Sequence, residues 1–162
     1  FVAVCVTVLQ TGLGLVTANW AEEVAWMGFV QARLQEGRSI RVAALLTAPL
    51  FALQHVSLAA QNGLLAGAVV LLALAALSVP FRLLTGWIAS RSGSLLLVGL
   101  FHAVGNAVAS GSGFGDGTLR ALYPDTPFGF AHLAAYAIVA LGVLVATGGR
   151  FGDRSPHERT PR

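Results

Sequence analysis

Ala21-Glu22-Glu23-Val24-Ala25-Trp26-Met27-Gly28-Phe29 places two adjacent carboxylates in a run otherwise fit for hydrocarbon. An acid at the centre of a membrane-spanning helix costs about 2.5–3.5 kcal/mol on insertion scales, so a pair of them needs compensation from neighbouring helices. Reading outward, two further apolar segments carry one histidine each. His55 closes Leu50-Phe51-Ala52-Leu53-Gln54-His55, and His102 opens His102-Ala103-Val104-Gly105-Asn106, with Asn106 one turn further on. The expected architecture is therefore all-α: a polytopic transmembrane bundle of about five helices. Its rare polar groups, Glu22, Glu23, His55, His102 and Asn106, are expected to meet inside as one reaction centre.

Composition agrees with a bilayer protein. Of 162 residues, 56% are hydrophobic and only 10% charged, with a mean hydropathy of +0.74. A soluble domain carries about a quarter charged residues. The net charge of +3 comes from arginine alone, there being no lysine. These arginines fall in short connections and the tail, where they set orientation, and nucleic acid is not an expected partner. The single cysteine, Cys5, excludes an internal disulfide and a cysteine-based zinc cluster. The chain opens on Phe1, already inside an apolar run and without a charged leader, so it reads as a piece of a longer multi-pass chain.

Residues 1 to about 36 form the first apolar stretch, which at about 1.5 Å per residue exceeds a bilayer core, so the helix either tilts and protrudes or breaks near Thr11-Gly12-Leu13-Gly14. A second helix runs from about Ser39 to Ala60, where Pro49 predicts a kink or break. A third runs from about Leu64 to Ser90 with Pro80 inside it and Arg82 near its far end, and a fourth from about Leu95 to Ser110. Gly111 to Asp125 reads as a glycine-rich loop; no strand precedes its Gly-Ser-Gly-Phe-Gly-Asp-Gly run, which excludes a phosphate-binding motif. A fifth helix covers about Phe128 to Thr147. Residues 1–149 thus make the bundle, with the site core at 20–110, and 150–162 a polar, disordered tail. Alternate crossings put Arg33, Arg38, Arg41, Arg82, Arg91 and the tail arginines on one side and Arg120 on the other. That asymmetry predicts a cell-membrane protein whose tail is cytoplasmic. Counting from the cytoplasmic ends puts Glu22, His55 and His102 at about 16, 20 and 12 Å, one common depth.

On a helix Glu22 and Glu23 point about 100° apart. Glu22 shares a face with Trp26, Phe29 and Arg33, and Glu23 with Met27 and Val30. His102 and Asn106 are an i, i+4 pair and point to one side, while Gly99 and Gly105 admit a neighbouring helix. The three tryptophans read as packing or interfacial anchors, and His132 as an interfacial residue.

Taken together, Glu22-Glu23-x-x-Trp26-x-Gly28, Phe51-x-x-x-His55 and His102-x-x-x-Asn106 resemble the three motifs of the CAAX-protease and bacteriocin-processing (CPBP, Abi) intramembrane endopeptidases. The likeness covers roughly residues 20 to 110, including Gly86-Trp87-Ile88-Ala89-Ser90-Arg91-Ser92-Gly93-Ser94-Leu95 before the third motif. It implies hydrolysis of a peptide bond in a membrane-embedded or lipidated protein or peptide at the bilayer. By the same likeness, Glu22 is the base that activates water with help from His55. His102 and Asn106 hold the oxyanion, and Glu23 supports the site. A zinc ion on Glu22, His55 and His102, with water in its open position, is the competing mechanism. One departure stands out: the family's first motif usually carries Arg where this chain has Met27. This leaves Glu23 without a helical partner and motivates an alternative, a catalytically inactive relative acting as a membrane binding or regulatory partner. A proton or ion pathway is a third reading of intramembrane acids and histidines.

Overall fold

The computed structural model describes residues 1–109, 117–125 and 128–151, the side chains of 128–130 excepted. The seven glycine-rich positions 111–117, save the last, and tail positions 152–162 lie outside the described residues. The fold is all-α. Helix α1 covers Val2–Gln35, α2 Ile40–Leu53, α3 Val56–Ala60, α4 Leu64–Ser92, α5 Leu95–Ala109, α6 Thr118–Leu122 and α7 Phe128–Ala146. Helices α1 and α4 are long and apolar enough to cross a membrane; α2, α5 and residues 131–146 of α7 are shorter apolar helices.

Of the two alternatives for the first stretch, helix α1 does not take the break: it passes through Gly12 and Gly14 and contains two π-helical turns, Leu15–Asn19 and Trp26–Gln31. These turns flank the two acids. Its buried positions are Gln10, Gly14, Asn19, Glu23, Met27 and Gln31, mostly polar. Four-residue steps gain about 40° per step on a regular helix, and the wider π-turns absorb that drift so that one seam faces the bundle.

Pro49 lies inside α2 rather than at its break. The interruption falls at Gln54 and His55, between α2 and α3. Ser39 caps α2 by accepting the Val42 N–H at 3.3 Å, and α4 stops where Gly93 adopts φ 65°. The stretch expected to be loop also holds the short helix α6, tied to α1 through the Thr7 and Thr118 hydroxyls.

Helix α2 packs along α4, α1 along α5, and α7 on α4. Leu64, Leu65, Leu72, Ile138 and Val145 lie exposed on the outside, whereas Glu23, Gln31, Thr47, Arg82, Thr85 and His102 are buried. Large apolar side chains left on the outside while charged and amide groups are buried is an arrangement that hydrocarbon solvent favours. Near one end of the bundle Ile40, Leu84, Ala140 and Phe151 form an apolar cluster.

Candidate active site

The two acids of α1 part company, as their angular offset requires. Glu23 turns inward and is fully buried; the Glu22 side chain keeps 36% of its exposure. Both reach toward the same imidazole on α5. His102 Nδ1 lies 3.0 Å from Glu23 Oε1 and 3.8 Å from Glu22 Oε2. Close approach of α1 and α5 makes this possible: a methyl built on Gly99 would stand 3.1 Å from the Trp20 Cα.

Glu23 is neutralised from a third helix. Arg82 of α4, itself fully buried, donates from Nη2 to Glu23 Oε2 at 2.6 Å. The guanidinium is held in turn by Thr85 Oγ1, which accepts from Nη2 at 2.7 Å and from Nε at 3.2 Å. It also lies 4.9 and 5.1 Å from the ring centres of Phe51 and Phe81, within cation–π range. Arg82 is therefore not one of the end-marking arginines, as its place near the end of α4 suggested. It is the counter-charge that Met27 does not supply; Met27 is buried and apolar.

His55 sits at the interruption between α2 and α3, with φ −90° and ψ 12°, the sparsely populated bridge region. Its Nδ1 lies 3.2 Å from the Phe51 carbonyl oxygen. The Phe51 ring stands between the two histidines, its centre 5.7 Å from His55 and 5.9 Å from His102. Trp26 Nε1 donates to Gln54 Oε1 at 2.7 Å, which pins the interrupted segment to α1 beside the acids. Asn106 is half-buried one turn beyond His102. Thus Glu22, Glu23 and His102 meet directly, and His55 borders them across Phe51. Arg82, Trp26 and Gln54 are additional parts of the centre. Trp26 carried a signal, being within the first motif; Arg82 and Gln54 carried none that a partner-free reading can use.

The zinc alternative does not fit. Among the described residues no three His, Cys, Asp or Glu side chains gather as metal ligands, so Glu22, His55 and His102 do not form a ligand set.

No curated protein and no solved structure matches the chain. The family model of type II CAAX prenyl endopeptidase Rce1-like proteins matches residues 5–108, a span containing Glu22, Glu23, His55, Arg82, His102 and Asn106. Two long apolar helices are compatible with the membrane location of that family. With its motifs on three packed helices and the match running through all of them, the chain belongs to the type II CAAX prenyl endopeptidase Rce1-like family of CAAX protease-type enzymes.

Proposed function

We propose that the protein hydrolyses a peptide bond of a membrane-associated protein or peptide, using Glu22 as the base that activates water. The observation that carries this reading is the contrast between its adjacent acids. Glu23 is buried and committed to Arg82 and His102, whereas Glu22 reaches the same imidazole with a third of its side chain open. One carboxylate is fixed by its partners; the other keeps an open face.

Glu23 then acts as a positioning residue. A carboxylate facing Nδ1 fixes the orientation of the His102 ring, and it is an N–H on Nε2 that a role at the oxyanion requires of it. As a water attacks the scissile carbonyl carbon, Glu22 takes the water proton and the carbonyl electrons move onto oxygen. His102 and Asn106 are the groups assigned to that oxyanion, where donors act strongly because water is scarce. Proton return from Glu22 to the departing amine completes the cleavage. His55 is assigned to hold the attacking water; its position across Phe51 supports a role at the edge of the centre. Arg82 also removes the motive for the inactive-partner reading, since the charge absent at Met27 is supplied from α4.

General bases contribute about 10²–10⁴-fold. Glu22→Gln in vesicles should therefore slow cleavage of a lipidated reporter peptide at least about a hundredfold, with unchanged thermal unfolding. Cleavage at the parental rate in the folded variant refutes the assignment.

A further inference from the structure

Hydrolysis in an apolar bundle needs a route for water, and one run of polar side chains leads from an end of the bundle to Arg82 and Glu23 of the site. Gln35, at the end of α1, is half-buried; Gln31, one turn along, is fully buried, as are Arg82 and Glu23 beyond it. Gln31 Nε2 donates to the Arg82 carbonyl oxygen at 3.0 Å. Its Oε1, together with Gln35 Nε2 and Arg82 Nη1, is buried without a hydrogen-bond partner. Orphaned atoms of this kind are rare in folded proteins, and an acceptor and two donors suit bridging water.

The backbone also makes room for them. A methyl built on Gly86 of α4 would lie 2.6 Å from Gln31 Nε2 and 3.3 Å from Gln35 Nε2. Both carboxamides thus rest on a position where any other residue would displace them. The series begins among exposed arginines: Arg33 and Arg38 flank Gln35 in sequence, and Arg91 follows Gly86 by little more than a turn.

We propose that Gln35, Gln31 and Arg82 carry water from the arginine-bearing end of the bundle to the Glu22–Glu23–His102 centre, with Gly86 keeping the route open. The purpose of the route rests on the hydrolase reading above; its existence does not. Water donates to Gln31 Oε1 and accepts from Gln35 Nε2, and the Arg82 Nη1–H hands the line on toward Glu23. The competing arrangement is a dry plug in which the two glutamines bond directly to each other and seal this end.

The two arrangements separate by thiol accessibility. In a Cys5→Ser background reconstituted in lipid nanodiscs, Gln31→Cys is exposed to silver ion, which follows narrow water-filled paths. The surviving thiol is then counted with maleimide after denaturation. Val98→Cys, at a fully buried apolar position on α5, is the reference. The route predicts silver capture at Gln31→Cys at least about tenfold faster than at the reference, and slowing toward it when Gly86→Ala is added. Equal rates at the two positions in chains that elute and melt like the parent overturn it. Should Gln31→Cys fail to fold, Gln35→Cys with and without Gly86→Val gives the same comparison, and insensitivity to the valine overturns the route. Cleavage is scored separately: silver capture with Glu22→Gln still active keeps the route and rejects the base, and the converse result keeps the base and rejects the route.

Discussion

Met27 and Arg82 show how one charge can change helices while its partner stays in place. The resemblance sets an arginine one turn from Glu23 on the same helix; here that position is methionine and the guanidinium arrives from α4, 59 residues away in sequence. The acids and His102 were legible in the sequence because their insertion cost demands an explanation wherever they occur in an apolar run. Arg82 was not, for a physical reason. A long arginine side chain near a helix end can snorkel to the interface, so its position alone does not distinguish an end-marker from a buried counter-charge. The distinction has consequences for stability. Breaking a buried pair by removing one partner costs about 3–5 kcal/mol, since the other charge stays behind. Arg82→Met should accordingly destabilise the fold by that order in an SDS unfolding titration and reduce cleavage. Met27→Arg added to Arg82→Met should recover a large part of both, because it returns a cation to Glu23 from α1. A double variant no better than Arg82→Met alone shows that Arg82 contributes through its contacts with Thr85 and Phe51 rather than its charge.

Helices, unlike single residues, were legible in outline and misread in detail. Five apolar stretches were placed within a few residues of their observed ends, because hydropathy and length are cumulative signals. The local irregularities were not. Gly12 and Gly14 left open a break that α1 does not make, since a glycine lowers helix stability by only about 1 kcal/mol and packing outweighs it. The two π-turns have no residue signature; they follow from keeping Gln10, Asn19, Glu23 and Gln31 on one seam. Pro49 likewise yielded the interruption to Gln54 and His55, where the Trp26 hydrogen bond holds the chain. Gly99 and Gly105 are exceptions, close approaches anticipated from the residues themselves: Tyr136 lies against Gly105, and Trp20 against Gly99. At Gly99 the neighbouring atom is backbone and cannot swing aside. Gly99→Val should push α5 from α1, costing about 1–3 kcal/mol as other overpacking changes do. It should reduce cleavage more than Gly99→Ala, because His102 moves away from both acids. Parental stability and turnover for Gly99→Val would mean that the two helices separate freely without disturbing the centre.

Across the whole molecule, charge is sorted by end. Gly86 packs against Gln31, Gln35 and Ile40, and Gly149 approaches Arg41, so Arg33, Arg38, Arg41, Arg91 and Arg150 share one end of the bundle. Arg120 belongs to α6, which is tied through Thr118 to Thr7 and to the Ala107 carbonyl oxygen at the other. Moving Arg82 into the interior leaves this asymmetry intact. Lysine and arginine near helix ends are retained on the cytoplasmic face, so the arginine end should face the cytoplasm. The orientation matters for chemistry, because Gln35 and the polar seam lead inward from that same end: water, and the side from which the centre is hydrated, would be cytoplasmic. An impermeant maleimide applied to intact cells tests it directly in a Cys5→Ser background. Leu122→Cys, exposed at the α6 end, should label from outside, and Arg91→Cys only after lysis. If Arg91→Cys labels first in intact cells, the bundle is inserted the other way up. The arginines would then mark the external face, and any water reaching Glu23 past Gln35 would come from outside the cell.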